Sequence, residues 1–319
     1  MRRTTTVDST RPNGLDGELV QVSRGRDLYT APDGSVVTLA EAVMELHSAY
    51  VDGPIVQSIR LTPDAAGLDA LVGRRASTGF RAVIDAAVDV TRGSLGYLLL
   101  DEVPAATLVS GYAMASAAAR GEVQLRTMRI SSGSQPRLQV PDLCAGFQVG
   151  GTMEANLDER SHPPILTGPV ALSVETPDDE FGWHQFDPLP AHAMRRRRRT
   201  DVHVDDDGLV HVDVFFRDSH MPDDGIEHAV HEYTVVARVD PESMRFVECE
   251  ATPRVLPWVE CPEAAASAGR LAGMPVKGLR PEVRATFVGP STCTHLNDVL
   301  RGLEDVEWLV HELGQAERA

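Results

Sequence analysis

The sequence predicts an α+β fold made of two related halves, each a β-meander with two helices. Short matches between the halves recur in the same order, 188 to 200 positions apart, from residues 2–4 against 198–200 to residues 99–103 against 296–300. Alternating apolar residues predict successive strands in the second half. An apolar stripe with helical spacing predicts a helix near the C-terminus. We therefore expect a degenerate internal duplication in which the halves pack as an intrachain pseudo-dimer.

The meander is clearest in the second half. Val210, Val212 and Val214 alternate with polar residues and fall on one strand face, and Gly, Asp and Pro residues mark the turns. The predicted strands cover residues 197–205, 209–216, 231–239 and 244–251.

Two helices and a short strand are predicted after this meander. Pro262 is favoured at the first helical position, and the helix that it begins is predicted to stop at Gly273. A short strand follows near residues 283–288. A longer amphipathic helix covers residues 296–313, with Thr294 as its N-cap.

The first half repeats this order less clearly. Residues 38–46 have a pattern that suits a helix, whereas the corresponding segment of the second half suits a strand, and the sequence leaves both open. A further strand is predicted over residues 123–130, and a Pro/Asp-rich linker over residues 175–192. The predicted divisions are a first, degenerate half (1–120), a connecting segment (121–194) and a second half that carries the site (195–319).

Composition excludes several classes of protein. The chain has 319 residues and a net charge of −17, so a nucleic-acid binder or an anionic-membrane binder is not expected. It contains no apolar run long enough for a transmembrane helix and no apolar core of a signal peptide. Its four cysteines form no CxxC pair and do not resemble a disulfide framework. We expect a cytoplasmic protein that binds a small molecule; the oligomeric state stays open.

Candidate reactive side chains occur in the second half alone. In the alignment of the halves, His231, Cys261, Cys293 and His295 lie over Met44, Thr62, Gly96 and Leu98. The two cysteines precede predicted helices, whose N-termini favour thiolate. Two thiolates and two imidazoles suit tetrahedral Zn²⁺, although the spacing matches no standard zinc finger. Alternatively, the cysteines are small buried apolar residues without a ligand.

The same neighbourhood offers groups for acid–base and nucleophilic catalysis. Cys293 is a candidate nucleophile, His295 its nearby base, and His231 a proton carrier near neutral pH. Asp218 is a candidate additional acid or base, and on a strand it shares a face with His220. The alternative is that residues 218–220 lie at the surface where a loop begins.

The run Arg195–Arg199 is the one strongly basic stretch. On a strand, Arg197 and Arg199 share a face and are candidate contacts for a carboxylate or phosphate group of a substrate. The alternative is a solvated segment between the halves, paired with the acidic residues 178–180.

Several stretches of the second half resemble the bacterial domain of unknown function 2889 over residues 195–315. They are His231-Glu232-Tyr233, the segment 256–262 around Cys261, and Cys293-Thr294-His295-Leu296. First-half stretches such as residues 97–101 resemble the longer actinobacterial form of that family. The resemblance implies that His231, Cys261, Cys293 and His295 form one site, and it implies no established activity. Thr292 stands where many members have Gly.

Two functions of different classes follow. The first is a bacterial enzyme, such as a lyase or hydrolase, that acts on a small anionic or acyl-type metabolite through a Cys/His site that holds zinc. The second is a non-enzymatic metal-binding or accessory module. A spare acid or base such as Asp218 or Asp298 beside a pocket would favour the enzyme, whereas a closed structural site has neither.

Overall fold

Within the described residues, eight antiparallel strands form one continuous sheet. The computed structural model describes residues 1–49, 53–122, 138, 140–158 and 162–318. Across the sheet the strand order is β4-β3-β2-β1-β5-β6-β7-β8. The α+β class predicted from the sequence is confirmed. The strands are β1 (Arg2–Thr10), β2 (Leu19–Thr30), β3 (Val36–Ala49), β4 (Ile55–Thr62), β5 (Ala193–Val204), β6 (Val210–Met221), β7 (His228–Asp240) and β8 (Arg245–Val255).

The two groups of four strands join at the antiparallel pair β1 and β5. Arg2 lies opposite Asp201, and Ser9 lies opposite Met194. The halves therefore share backbone hydrogen bonds in the middle of one sheet, which is a closer connection than the packing of two separate halves expected from the sequence.

Helices follow each group of strands and cover one face of the sheet. The helices are α1 (Phe80–Ala87), α2 (Leu95–Val109), α3 (Gly111–Ala119), α4 (Thr152–Ala155), α5 (Leu279–Thr286), α6 (Thr294–Gly302) and α7 (Val306–Ala316). Segments of 3-10 helix cover Leu68–Leu71, Ala145–Phe147, Cys261–Leu271 and Leu303–Asp305.

Each group of strands has its own apolar core beneath its helices. In the second, alternate β6 residues such as Val214 and Phe216 pack with Leu296 and Val299 of α6. In the first, Met44 and Leu46 of β3 belong to a cluster with α1 and α2. The apolar face of the strands and the apolar face of the helices therefore pack against each other in one buried layer.

The other face of the central strands is covered by a strap, defined here as residues 166–190. His184 lies between Thr4 and Thr6, with its ring nitrogens 2.9 and 3.0 Å from their hydroxyl oxygens. The ring of Phe186 lies 4.8 Å from the Arg195 guanidinium. Because both faces are covered, polar residues of β1 and β5 are buried. The Pro/Asp-rich segment expected as a linker is thus part of the packed structure.

Two local predictions are wrong. Residues 283–288 were expected as a strand but belong largely to α5, because Leu279 and Val283 are four apart and both face the core. The helix expected over residues 296–313 is divided into α6 and α7 by the 3-10 segment Leu303–Asp305. The helix expected from Pro262 to Gly273 is present as 3-10 helix over Cys261–Leu271, with Pro262 in its first turn.

The conflict over residues 38–46 is decided in favour of a strand, since they lie in β3. Thr294 is the first residue of α6, and the N-cap is Cys293. The strand expected over residues 123–130 lies outside the described residues.

Candidate functional site

Three charged or titratable side chains form a row across β5, β6 and β7. Arg196 lies opposite Asp218, and Asp218 lies opposite His231. The Arg196 guanidinium donates to both oxygens of Asp218, at 2.8 and 2.9 Å. The pairing of neighbouring strands therefore places a fixed carboxylate beside a histidine.

α6 brings a second histidine over this row. His295 lies in the first turn of α6, and its ring stacks on that of His231 with 3.5 Å between centroids and 17° between planes. His295 Nε2 is 4.0 Å from Asp218 Oδ2. One potential ligand atom from each of Asp218, His231 and His295 lies within 4.8 Å of the others. We call these three residues the His/Asp cluster.

The His/Asp cluster is largely removed from water. Asp218 is 0% exposed and His231 is 9% exposed. Burial lowers the pKa of His295 to about 3, with Arg196 adding to the effect. Burial also lowers the pKa of His231, with smaller contributions from His295 and Arg196. Both imidazoles are therefore neutral at pH 7, which is the form that binds metal ions.

His231 has spare binding capacity. Its Nδ1 atom is buried and has no hydrogen-bond partner among the described residues. An unsatisfied buried nitrogen is costly unless a proton donor or a metal ion occupies the position next to it. The cluster thus has the chemistry of a cation site.

A buried carboxylate of the apolar helix α2, in the first half, supports the row. Glu102 of α2 accepts from Arg196 Nη1 at 3.0 Å and from Arg198 Nη2 at 2.5 Å. Asp298 of α6 also lies 3.3 Å from Arg196 Nη1. The guanidinium that orients Asp218 is therefore held by both halves.

The cysteines lie apart from the His/Asp cluster. Cys261 and Cys293, together with Cys144, are neighbours of the Tyr233 hydroxyl, and all four cysteines are free. Burial raises the pKa of the Cys261 thiol to about 12, and it also raises the pKa of the Cys293 thiol. The thiolate expected from helix N-termini is therefore disfavoured. The structure brings His231 and His295 together, but it does not add Cys261 or Cys293 to their group of potential ligands.

The arginines expected to contact a substrate are occupied by internal partners. Arg197 is 5% exposed and pairs with Glu227 at 2.5 Å. Arg199 pairs with Asp201 at 3.0 Å. The alternative expectation, pairing with residues 178–180, also differs from the structure, because Asp179 pairs with Arg2.

A cavity of about 390 Å³ lies near the His/Asp cluster, although none of the three cluster residues lines it. It is lined by residues of α1, α2, α5 and α6, among them Arg81, Thr294 and Asp298. Thr294 Oγ1 is 3.4 Å from His295 Nδ1. The wall of this cavity thus touches a residue of the cluster, and Asp298 in that wall contacts Arg196.

Sequence reasoning named Asp298 as a candidate spare acid or base, but it missed Glu102 and the role of Arg196. One signal was available: Asp101 and Glu102 are adjacent carboxylates in the otherwise apolar segment of α2. Carboxylates are rarely buried without a partner, so their position in a core helix indicates buried cations nearby.

Comparison with known proteins finds a family for the part of the chain that contains the His/Asp cluster. Residues 194–308 match the family model described as "Protein of unknown function (DUF2889)". This segment is a DUF2889 domain. The DUF2889 segment contains the whole His/Asp cluster, whereas Glu102 lies outside it. No curated protein and no solved structure matches the chain. In the described part of the chain, no helix is long and apolar enough to cross a membrane.

Proposed function

We propose that the His/Asp cluster binds a divalent metal ion and that the chain is a metal-dependent enzyme acting on a small anionic or acyl-type molecule. The observation that carries the proposal is the convergence of three ligand atoms within 4.8 Å. Asp218, His231 and His295 replace the Cys/His set expected from the sequence. A bacterial source and a cytoplasmic location stay predictions.

The donor set fits a catalytic metal. Two neutral imidazoles and one carboxylate are ligands of catalytic Zn²⁺ and of non-haem Fe²⁺, and such three-ligand sets leave positions for water or substrate. When bound, the ion would polarise a carbonyl group or lower the pKa of a bound water molecule. Arg196 would orient the carboxylate in the way that outer hydrogen bonds orient metal ligands.

The nearby cavity favours an enzyme. Asp298 lies in its wall and is 17% exposed in its side chain, where it pairs with Arg196 and Arg81. It is thus a partly exposed carboxylate outside the three ligands, which an acid–base reaction would use as its proton acceptor. A hydrolase or lyase reaction is consistent with this arrangement.

Metal content tests the site. We would measure bound metals by mass spectrometry in untagged wild-type protein, in His295→Ala and in Cys261→Ser, after confirming the folding of each by circular dichroism. We expect about one metal ion per chain in wild type and Cys261→Ser and loss in His295→Ala. Loss in Cys261→Ser with retention in His295→Ala would instead identify the cysteine set. Absence of metal from all three after dialysis against Zn²⁺ and Fe²⁺ would refute the proposal.

The burial of Asp218 favours a second candidate, a non-enzymatic metal-binding module with a closed site. Substitution with Co²⁺ distinguishes the two. In the enzyme, cyanide added to the Co²⁺ protein should change its visible spectrum by entering an open position. In a closed site the spectrum should stay unchanged.

We also propose that the two halves arose by duplication. A shift of register follows Asp27 in the β2–β3 pair, and another follows Asp218 in the β6–β7 pair. Arg3 donates to both oxygens of Asp27, as Arg196 does to Asp218. Ala40 lies opposite Asp27 where His231 lies opposite Asp218. This register supports Ala40, rather than Met44, as the counterpart of His231.

A further inference from the structure

The first half contains a cavity at the place that the His/Asp cluster has in the second half. The cavity has a volume of about 270 Å³, and Asp27, Ala40 and Gly96 are among the residues that line it. Asp27 and Ala40 lie opposite each other on β2 and β3, as Asp218 and His231 do on β6 and β7. We call this the first-half cavity.

Gly96 has the place of the second histidine. It is the second residue of α2, whose N-cap is Ser94, and His295 is the second residue of α6, whose N-cap is Cys293. Both imidazole rings of the second half are thus replaced in the first half by residues with no atom beyond Cβ. The ion pair of an arginine with the strand aspartate is kept, whereas the volume of the two rings is left to the cavity.

The inner wall of the first-half cavity is apolar. Ala42, Leu61 and Leu95 are 3%, 5% and 4% exposed, and they line it together with Trp308 of α7. Because Trp308 belongs to the second half, both halves build this cavity. Apolar walls suit the hydrocarbon part of a small molecule, and an indole ring also attracts cations.

Every charged residue that lines the first-half cavity is acidic. These residues are Asp27, Glu41, Asp64, Asp89 and Glu312. Arg3 neutralises Asp27, which is buried. Glu41, Asp64 and Asp89 are exposed and have no ion pair with any described residue. The opening of the cavity therefore carries carboxylates that need no internal cation and are free to meet one from solution.

Two basic side chains near the opening leave these carboxylates largely unbalanced. Arg26 lies opposite Glu41 in the β2–β3 pair, but its guanidinium donates to the carbonyl oxygen of Phe181. His311 is 3.4 Å from Glu312 and is exposed. The opening of the first-half cavity thus has a net negative charge.

The spacing of the carboxylates does not suit a metal ion. Among the described residues, only the His/Asp cluster brings three potential ligand atoms within 4.8 Å of one another. The carboxylates of the first-half cavity are therefore too far apart to enclose a bare ion, whose oxygen ligands lie about 2 to 2.6 Å from it. Separated carboxylates beside an apolar wall suit an elongated organic cation.

We propose that the first-half cavity binds a small primary amine in its ammonium form. The alkyl part lies against Leu61, Leu95 and Trp308. The ammonium group lies at the opening near Asp64 and Asp89, where its three N–H groups donate to carboxylate oxygens. This site goes beyond the proposed function and needs no metal ion.

Fluorescence titration with n-pentylamine at pH 7.5 tests this proposal. The chain has three tryptophans, of which Trp308 lines the first-half cavity. We expect the emission to shift as n-pentylamine binds and this shift to be lost in Trp308→Phe. A shift that persists in Trp308→Phe would place the amine elsewhere and refute the site. Calorimetry that detects no binding of n-pentylamine to wild type would also refute it.

Hexanoate tests the charge of the ligand, because it carries the same alkyl chain with the opposite charge. It should bind about tenfold or more weakly than n-pentylamine, since the opening holds carboxylates and no basic residue lines the cavity. Hexanoate that binds as tightly as n-pentylamine would show an apolar pocket without preference for cations and refute the proposed class of ligand.

The double variant Asp64→Asn/Asp89→Asn tests the opening. It should weaken n-pentylamine binding about fivefold, because each exposed carboxylate contributes modestly in water. Asp16→Asn/Asp206→Asn is the matched control, since it removes two exposed turn carboxylates outside the cavity. Equal weakening in both double variants would indicate a general charge effect and refute the site.

Two further variants separate this site from the His/Asp cluster. Ala40→Phe places a ring where the second half has His231, so it should exclude n-pentylamine and keep the metal content of wild type. Unchanged amine binding in Ala40→Phe would refute the first-half cavity. His295→Ala should keep amine binding, and loss of binding there would place the amine at the cluster instead. Amine binding in a chain that takes up no metal would overturn the proposed function and leave this site standing.

Discussion

Burial and nearby backbone groups shift the pKa of the Cys261 and Cys293 thiols in opposite directions. Backbone N–H groups at the start of α6 lower the pKa of Cys293, but desolvation is the larger effect, and the net shift is upward. At Cys261 the backbone of Trp258 lowers the pKa, and burial again has the larger effect and raises it to about 12. The sequence shows that a cysteine precedes a helix, but it does not show how deeply the thiol is buried.

We therefore predict slow thiol chemistry. All four cysteines are buried, and thiolate is the reactive form. In the native protein, reaction with a chromogenic disulfide at pH 8 should be slow for every cysteine, and all four should react rapidly in guanidinium chloride. One thiol per chain that reacts rapidly in the native protein would contradict this and favour the nucleophile expected from the sequence.

The sequence alone predicts only part of the His/Asp cluster. Residue types and the family motif pointed to His231 and His295, and alternation on a strand pointed to Asp218. The partner of Asp218 depends on the register between β5 and β6, which places Arg196 opposite it. Register arises from pairing over the whole sheet and is not visible in a local pattern.

At the scale of elements, local periodicity failed where tertiary contacts decide the structure. Val283, Ala285 and Phe287 alternate as in a strand, yet α5 forms because its four-residue spacing buries Leu279 and Val283. α6 ends at Gly302, where an added Cβ would lie 2.2 Å from Arg198 Nη1. Arg198, which is distant in sequence, thus packs against the residue where α6 ends. The apolar stripe did not predict this helix end.

The strap predicts a pH dependence of stability. Burial, with nearby arginines, lowers the pKa of His184 to about 3, whereas an unfolded histidine titrates near about 6.5. The unfolded chain therefore gains a proton first, so stability is complete above about pH 6.5 and falls as the pH decreases towards 3.

His184→Gln isolates this effect, because glutamine keeps the polar contact and cannot be protonated. In urea unfolding, wild type should lose about 2 kcal/mol more than His184→Gln between pH 7 and pH 5. His311→Gln, at an exposed histidine of α7, is the control. Parallel losses in wild type and His184→Gln would show that His184 is not held neutral by the strap.

At the scale of the whole molecule, buried ion pairs connect the two halves in addition to the shared sheet. Glu102 is 4% exposed and belongs to the first half, whereas its partners Arg196 and Arg198 belong to the second. Because Arg196 also orients Asp218, the DUF2889 segment uses a residue from outside itself to fix its own cluster. The sequence suggested the two halves, but not that one completes the charge balance of the other.

Glu102→Gln should therefore destabilise the whole chain and also weaken metal binding by the His/Asp cluster. Removing one partner of a buried ion pair leaves an uncompensated charge and costs about 3 kcal/mol or more. Glu45→Gln, which removes an ion pair at a 49% exposed side chain of β3, should cost less than about 0.5 kcal/mol. Urea unfolding measures both, and metal affinity measured in parallel should fall only in Glu102→Gln. If Glu102→Gln unfolds at the same urea concentration as Glu45→Gln, then the shared sheet alone holds the halves together, and Arg196 is positioned without the first half.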